Sequence, residues 1–430
     1  MIKNKTNLKW IISISSVVTI GVIVSVCVVS ANTRCLDIPN KYCLNKVERT
    51  YNAKKVAISD DYSKAIKDFS TKYVLNVTSS KVQNEVFSPI SIVSCYSMLL
   101  EGAKEETSNE LRKALCFDDT FDIKSETQKM LNNTFIKTKD TNLNVNQSIW
   151  IDNAYSSSVK KDYLSKLEDY YYAEAFQDDL DGDNAKELLT KYINKNTNNF
   201  LNIKKEDFAN YGGVLWLVNT IYLKSKWAED FSNIKYDFKN NDGITNTKDF
   251  IKANIPDSGV YKSQNSTTFS AYFKDGLKAN FMLPNLDVNF NDFVKNSSNW
   301  DELFNYKKLN FEQGNVTFRM PKIEIKCNYD LKKEFIKIGV NKIFDSDESN
   351  LKGIIDSTFE NLYVDNSMHK AGIKFDKDGV EAAAVTTIET KVTSTGGLGK
   401  EIEFNLNRPF IYSITDVNEM PLFVGVVTNV

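Results

Sequence analysis

The stretch Gly379-Val-Glu-Ala-Ala-Ala-Val-Thr-Thr-Ile-Glu-Thr-Lys391 constrains the fold more than any other part of this chain. Its alternate residues Val380, Ala382, Ala384, Thr386, Ile388 and Thr390 are uncharged, whereas the opposite set carries Glu381, Glu389 and Lys391. A period of two is the mark of a half-buried strand. The stretch nevertheless runs into Val392-Thr-Ser-Thr-Gly-Gly-Leu-Gly399, whose glycines and hydroxyl residues favour turns and coil, so the expected native state is a loop. Gly379 supplies a backbone free to take positive φ, and Ala382, Ala383 and Ala384 are small enough to slide between neighbouring strands. An ordinary edge strand with a glycine-rich tail fits the same residues, and this stretch alone leaves both readings open.

The rest of the chain adds a consistent set of motifs. Near the C-terminus stand Phe404-Asn-Leu-Asn-Arg-Pro-Phe410 and Pro421-Leu-Phe-Val-Gly425; upstream stand Phe87-Ser-Pro-Ile-Ser91, Leu217-Val-Asn-Thr-Ile-Tyr222, Lys224-Ser-Lys-Trp227 and His369-Lys370. In order and spacing these resemble the serpin family, the serine protease inhibitors, from about residue 55 to the C-terminus. The resemblance implies an α+β fold in one domain, residues 55–430, with a large central mixed β-sheet, two smaller sheets, about eight or nine helices and an exposed reactive-centre loop. It further implies that Ser88, Ser91, Asn219 and His369 form the polar cluster called the shutter, where the central strands part. Residues Gly379, Val380, Glu381, Ala382, Ala383 and Ala384 would be the hinge of the loop.

The mechanism implied is that of a suicide substrate: a serine protease cuts the loop, stays bound as an acyl-enzyme and is trapped as the cut segment inserts into the central sheet. Counting forward about fourteen positions from Gly379, the distance common in inhibitory members, gives the bond Thr393-Ser394. Counting back from Pro409 lands near Leu398, and Lys391 is a basic competitor two residues before Thr393. A small β-branched bait residue suits elastase-like or subtilisin-like pockets, whereas Lys391 would suit a trypsin-like one. Two features depart from the family pattern: Lys377 stands where a glutamate is usual, and the chain ends at Val430, where most members carry a short extension. The alternative within the same family is a non-inhibitory carrier, chaperone or storage protein. Such members commonly lose the small hinge residues that this chain keeps.

Composition excludes several other functions. Lys and Arg total 54 against 56 Asp and Glu, a net charge of −2, which argues against nucleic acid as a partner. Short basic clusters such as Lys204-Lys205 read as solvated faces, and no polyanionic or other cofactor is expected. The single histidine, His369, offers no Ser-His-Asp arrangement, so the chain is not read as an enzyme. Asp376-Lys-Asp-Gly379 superficially suggests a calcium loop, but setting Gly379 at the invariant glycine places Lys374 and Val385 at ligand positions, and no metal site is expected.

Lys3, Lys5 and Lys9 precede an apolar run from Trp10 to about Ala31 that ends in Val29-Ser-Ala31, the pattern of an export signal with a cleavage site. Its length also suits an uncleaved anchor, the one circumstance in which the membrane would be a partner. Residues 1–31 are thus a signal peptide or signal anchor, 32–54 an N-terminal extension, and the body a secreted, extracellular monomer. Of six cysteines, Cys35 and Cys43 flank a turn-rich spacer that could close a disulfide loop after export, and Cys95 reads as a buried thiol in a helix. Sequons at Asn76, Asn132, Asn146, Asn265, Asn296 and Asn315 are compatible with a glycoprotein. Helical spacing covers 60–77, a capped apolar helix starts at Ser88, polar helices are expected at 163–171 and 185–201, and strands at 144–151 and 214–223. Residues 232–275, rich in Asn, Asp and Lys, read as loop-dominated.

Overall fold

Period and capping account for the helical layer. The first helix, Asp60–Val77, is capped by Ser59, whose side chain accepts from the Tyr62 N–H, and buries the predicted stripe Tyr62, Ala65, Ile66, Phe69, Tyr73 and Val74. The helix Pro89–Gly102 begins with the Ser88 cap and proline in its first turn, and every residue but Glu101 is buried. It lies against strands of both large sheets. The computed structural model describes residues 32–33, 38–49, 55–118, 121–356, 362–380 and 400–430. All belong to one compact unit spanning Ala31–Val430. The export segment lies outside the described residues, as does Cys35 and with it the Cys35–Cys43 pairing. Among the described residues no helix is long and apolar enough to cross a membrane.

The sheet that carries the candidate site has seven strands. Their order is Ile323–Asp330, Asn366–Asp376, Gly379–Val380, Leu215–Lys226, Thr141–Asp152 and Ile136–Lys137, with Glu174–Asp178 also paired to Thr141–Asp152. It is mixed: Asn366–Asp376 runs antiparallel to Ile323–Asp330 but parallel to Leu215–Lys226. Alternation sorts its side chains. Leu215, Leu217, Ile221 and Leu223 face the main core, while Trp216 and Val218 face a second cluster under the helix Asp183–Asn196. Burial on both faces explains why these strands read as near-continuous apolar runs.

The two smaller sheets expected from the sequence are joined here into one nine-stranded ladder, because Thr245–Lys262 and Asn310–Pro321 run through both. A bulge lies where the register shifts between Gly314 and Val316, opposite Pro256 and Asp257. A two-stranded sheet pairs Asn32–Thr33 with Glu48–Arg49. Ten α-helical segments occur among the described residues, one of them only the four-residue Asn153–Ser156.

The loop-dominated reading of 232–275 is corrected. Ser232–Lys239, Thr245–Lys262 and Ser266–Tyr272 are strands. Most of their Asn, Asp and Lys residues occupy exposed positions between inward residues such as Phe238, Phe250 and Ile251, so polar composition masked the alternation. Two helix boundaries also differ. The 163–171 segment is an α-helix, Lys161–Lys166, that relaxes into a π turn at Leu167–Tyr171, and the 185–201 helix stops at Asn196, before Asn198 and Asn199 adopt positive φ.

Candidate functional site

The centre of the seven-stranded sheet is closed by direct parallel pairing of residues 366–370 with 216–220, in a register that sets His369 opposite Asn219. Both are fully buried beneath the start of the Pro89–Gly102 helix. There the Ser88 N–H donates to His369 Nε2 at 2.9 Å, and the Ser91 N–H donates to Ser88 Oγ at 3.4 Å. An accepting Nε2 places the ring proton on Nδ1. Desolvation lowers the His369 pKa to about 3, so the imidazole is neutral at physiological pH. Among the described residues, His369 Nδ1, Ser91 Oγ and both amide atoms of Asn219 have no hydrogen-bond partner. All four residues named for the shutter therefore meet at one place.

Sequence reasoning missed three members of this cluster, Tyr96, Ser367 and Tyr329. The Tyr96 hydroxyl donates to Ser367 Oγ at 2.9 Å, adding a second link between helix and strand. Ser367 lies two residues before His369 on the same strand face, a signal that alternation carries. The Tyr329 ring lies nearly parallel to His369, with centroids 6.1 Å apart, and its hydroxyl donates to Glu85.

Higher in the sheet a different residue pair fills the space between the same two strands. Gly379 and Val380 sit opposite Lys226 and Ser225 on one side, and Asp376 and Phe375 on the other. The four residues Asp376 to Gly379 form the turn that returns the chain, held by the Asp378 N–H donating to Asp376 Oδ1. Gly379 has φ +146°, and a Cβ there would meet the Ser225 carbonyl oxygen at 2.0 Å. Only glycine fits. Val380 is 1% exposed and belongs to the main core. Trp227 closes this end: its indole N–H donates to the Asp376 carbonyl at 2.8 Å, and its ring stacks on Phe273 and Phe375.

Glu381, Ala382, Ala383, Ala384, Lys391, Thr393, Ser394 and Leu398 lie outside the described residues. The described chain resumes at Lys400, whose ammonium pairs with Glu312; Lys262 pairs with the same carboxylate, and the two lysines hold its pKa down at about 2. Glu401–Asn405 then runs parallel to Asn310–Pro321. Residues 381–399 thus connect the centre of one sheet to the edge strand of the other. Among the sequons, Asn265 and Asn296 are exposed, but Asn146 is fully buried within Thr141–Asp152, which removes it as an acceptor in the folded protein. Cys95 is buried, as read, and burial pushes its thiol up to about 12.

The family model "Serpin (serine protease inhibitor)" matches residues 64–430. The chain belongs to the serpin family. This serpin is 28% identical over 366 residues to an alpha-1-antiproteinase of Bos taurus, with 81% of this chain and 83% of the relative covered. Its structure is similar to that of Serpin48 of the insect Tenebrio molitor, at TM-score 0.74 and 23% identity, covering 87% of this chain and all of the other. It is also similar to human thyroxine-binding globulin, at TM-score 0.73 and 21% identity, covering 86% and 98% of the two chains. These structural likenesses show the serpin fold.

Proposed function

We propose that this serpin inhibits serine proteases as a suicide substrate. The observation that carries the reading is Gly379–Val380, seated as the first two residues of a strand between Asn366–Asp376 and Leu215–Lys226, with Val380 in the core. Continuing that alternation would send Ala382, Ala384, Thr386, Ile388 and Thr390 inward and leave Glu381 and Glu389 outward. The protease serine oxygen attacks the carbonyl carbon of Thr393, the Thr393–Ser394 peptide bond breaks, and the new Ser394 amine departs with the proton. The ester left on Thr393 tethers the protease to the segment that inserts. Completing the strand adds ladder hydrogen bonds worth roughly 0.5–1.5 kcal/mol net each, on the order of ten kcal/mol over the whole segment. The uncut fold is therefore kinetically held.

A non-inhibitory carrier is the second reading. It is favoured by Lys377 at the position where the family usually has glutamate, and by structural similarity to thyroxine-binding globulin. The experiment that separates the two is a denaturing gel of the secreted protein mixed with elastase-like, subtilisin-like and trypsin-like proteases. Inhibition gives an SDS-stable, one-to-one complex that is lost in Ala384→Arg, because an arginine on the inward face would have to be buried at a cost of several kcal/mol while hydrolysis proceeds. Clean cleavage of the wild type by the whole panel, with no complex, would establish the carrier reading. Secretion after removal of about the first 31 residues belongs to the same proposal. N-terminal sequencing of the exported protein reads it directly, and a retained Met1 in the membrane fraction would replace it with an anchored form.

A further inference from the structure

Residues 38–49 precede the span matched by the family model, yet they are folded onto the outer edge of the seven-stranded sheet. Cys43 forms an antiparallel bridge with Phe176, and the Leu44 N–H donates to the Ala175 carbonyl at 2.8 Å. The Asn45 side chain completes the edge: its amide donates to the Ala173 carbonyl at 3.0 Å, and its oxygen accepts from the Ala175 N–H at 2.8 Å. An otherwise open edge strand, Glu174–Asp178, is thus covered by the chain's own extension.

Arg49 ties this edge to the helical layer. It is 3% exposed, donates through Nη1 to the Val145 carbonyl at 3.1 Å and through Nη2 to the Leu131 carbonyl, and its guanidinium lies 4.6 Å from the Phe135 ring centroid. Val145 is on the strand Thr141–Asp152, and Leu131 is in the last turn of the helix Ile123–Asn133, which packs on Pro89–Gly102. One planar side chain therefore bolts a sheet strand to the helices. Its fixed fork of donors suits this geometry, which a lysine cannot reproduce.

That position matters for the motion required by strand insertion. Admitting one more strand beside Leu215–Lys226 requires it and everything outboard of it, Thr141–Asp152 and Glu174–Asp178, to shift by about 4.8 Å from Asn366–Asp376. The outboard strands are those held by Asn45 and Arg49. We propose that segment 38–49 is a built-in clamp that restrains the parting of the central strands, and so sets how readily the sheet opens. Its importance for inhibition rests on the insertion reading above, but the clamp itself is a property of the uncut protein.

Hydrogen exchange of the full chain tests it, comparing wild type with Asn45→Ala and Arg49→Lys, the second keeping charge and aliphatic stem while removing the fork. The clamp predicts that amides in 216–220 and 366–370 exchange at least tenfold faster in both variants, while those of Phe410–Thr415 in the other large sheet are unchanged. A uniform rise in both sheets would overturn the proposal in favour of general destabilisation. A rise confined to 38–49 and 174–178 would also overturn it, leaving the segment as a surface cover. Failure of the insertion reading shows separately, as the absence of an SDS-stable complex with the wild type.

Discussion

The backbone N–H of Ser88 donates to Nε2 of His369 across 281 residues of sequence, at 2.9 Å. It joins the start of the buried helix to the strand Asn366–Asp376, which pairs directly with Leu215–Lys226. The bond needs an unprotonated Nε2, and burial supplies it by lowering the His369 pKa to about 3.

Burial of His369 should therefore make acid loosen this protein. An unfolded histidine titrates near 6.5, so below that pH the unfolded chain binds a proton that the folded chain refuses, and stability rises with pH across the window from about 3 to 6.5. His369's contribution is complete above 6.5 and falls by up to about 1.4 kcal/mol per pH unit as the solution is acidified. Urea unfolding at a series of pH values, for wild type and His369→Gln, should show a steeper acid loss in the wild type. Parallel profiles would refute the assignment.

Gly379→Ala should loosen the Gly379–Val380 pairing. The added Cβ would meet the Ser225 carbonyl at 2.0 Å on a backbone already at φ +146°, so the Gly379–Val380 pair would leave the ladder or strain it. A loss of about 1–3 kcal/mol in unfolding free energy is expected, with faster limited proteolysis around residues 376–380. An unchanged unfolding midpoint would mean that the pair is not held as described.

The attacked bond is read from the small C-terminal fragment released from a protease complex. Mass spectrometry should find a fragment beginning at Ser394 and an elastase-like or subtilisin-like partner. A fragment beginning at Val392 would assign the bait to Lys391 and a trypsin-like partner, and one beginning at Gly399 would assign it to Leu398.

Much of this architecture is legible in the sequence because it depends on short-range regularity. The stripe of Asp60–Val77 follows from a period of 3.6, the start of the next helix from the Ser88 cap and Pro89, and the spacing of motifs identified the family. The strands from 232 to 272 were hidden for the same reason in reverse, since their exposed face is so polar that composition reads as loop.

Tertiary structure alone decided the rest, because it turns on contacts and burial that no local window contains. The register that sets His369 opposite Asn219 joins residues far apart in the chain, and only complete burial makes that histidine neutral. Whether Val380 belongs to the loop or to the sheet depends on the gap between two strands that are parallel and paired directly below it. Arg49 looks like an ordinary surface charge in a linker until folding places the Val145 and Leu131 carbonyls at its fork. The sequence by itself determined which segments could be strand or helix and which family they build. The energies of pairing and desolvation, which exist only once the chain is folded, determined where the sheet is closed, where Gly379–Val380 enters it and what lies against its edge.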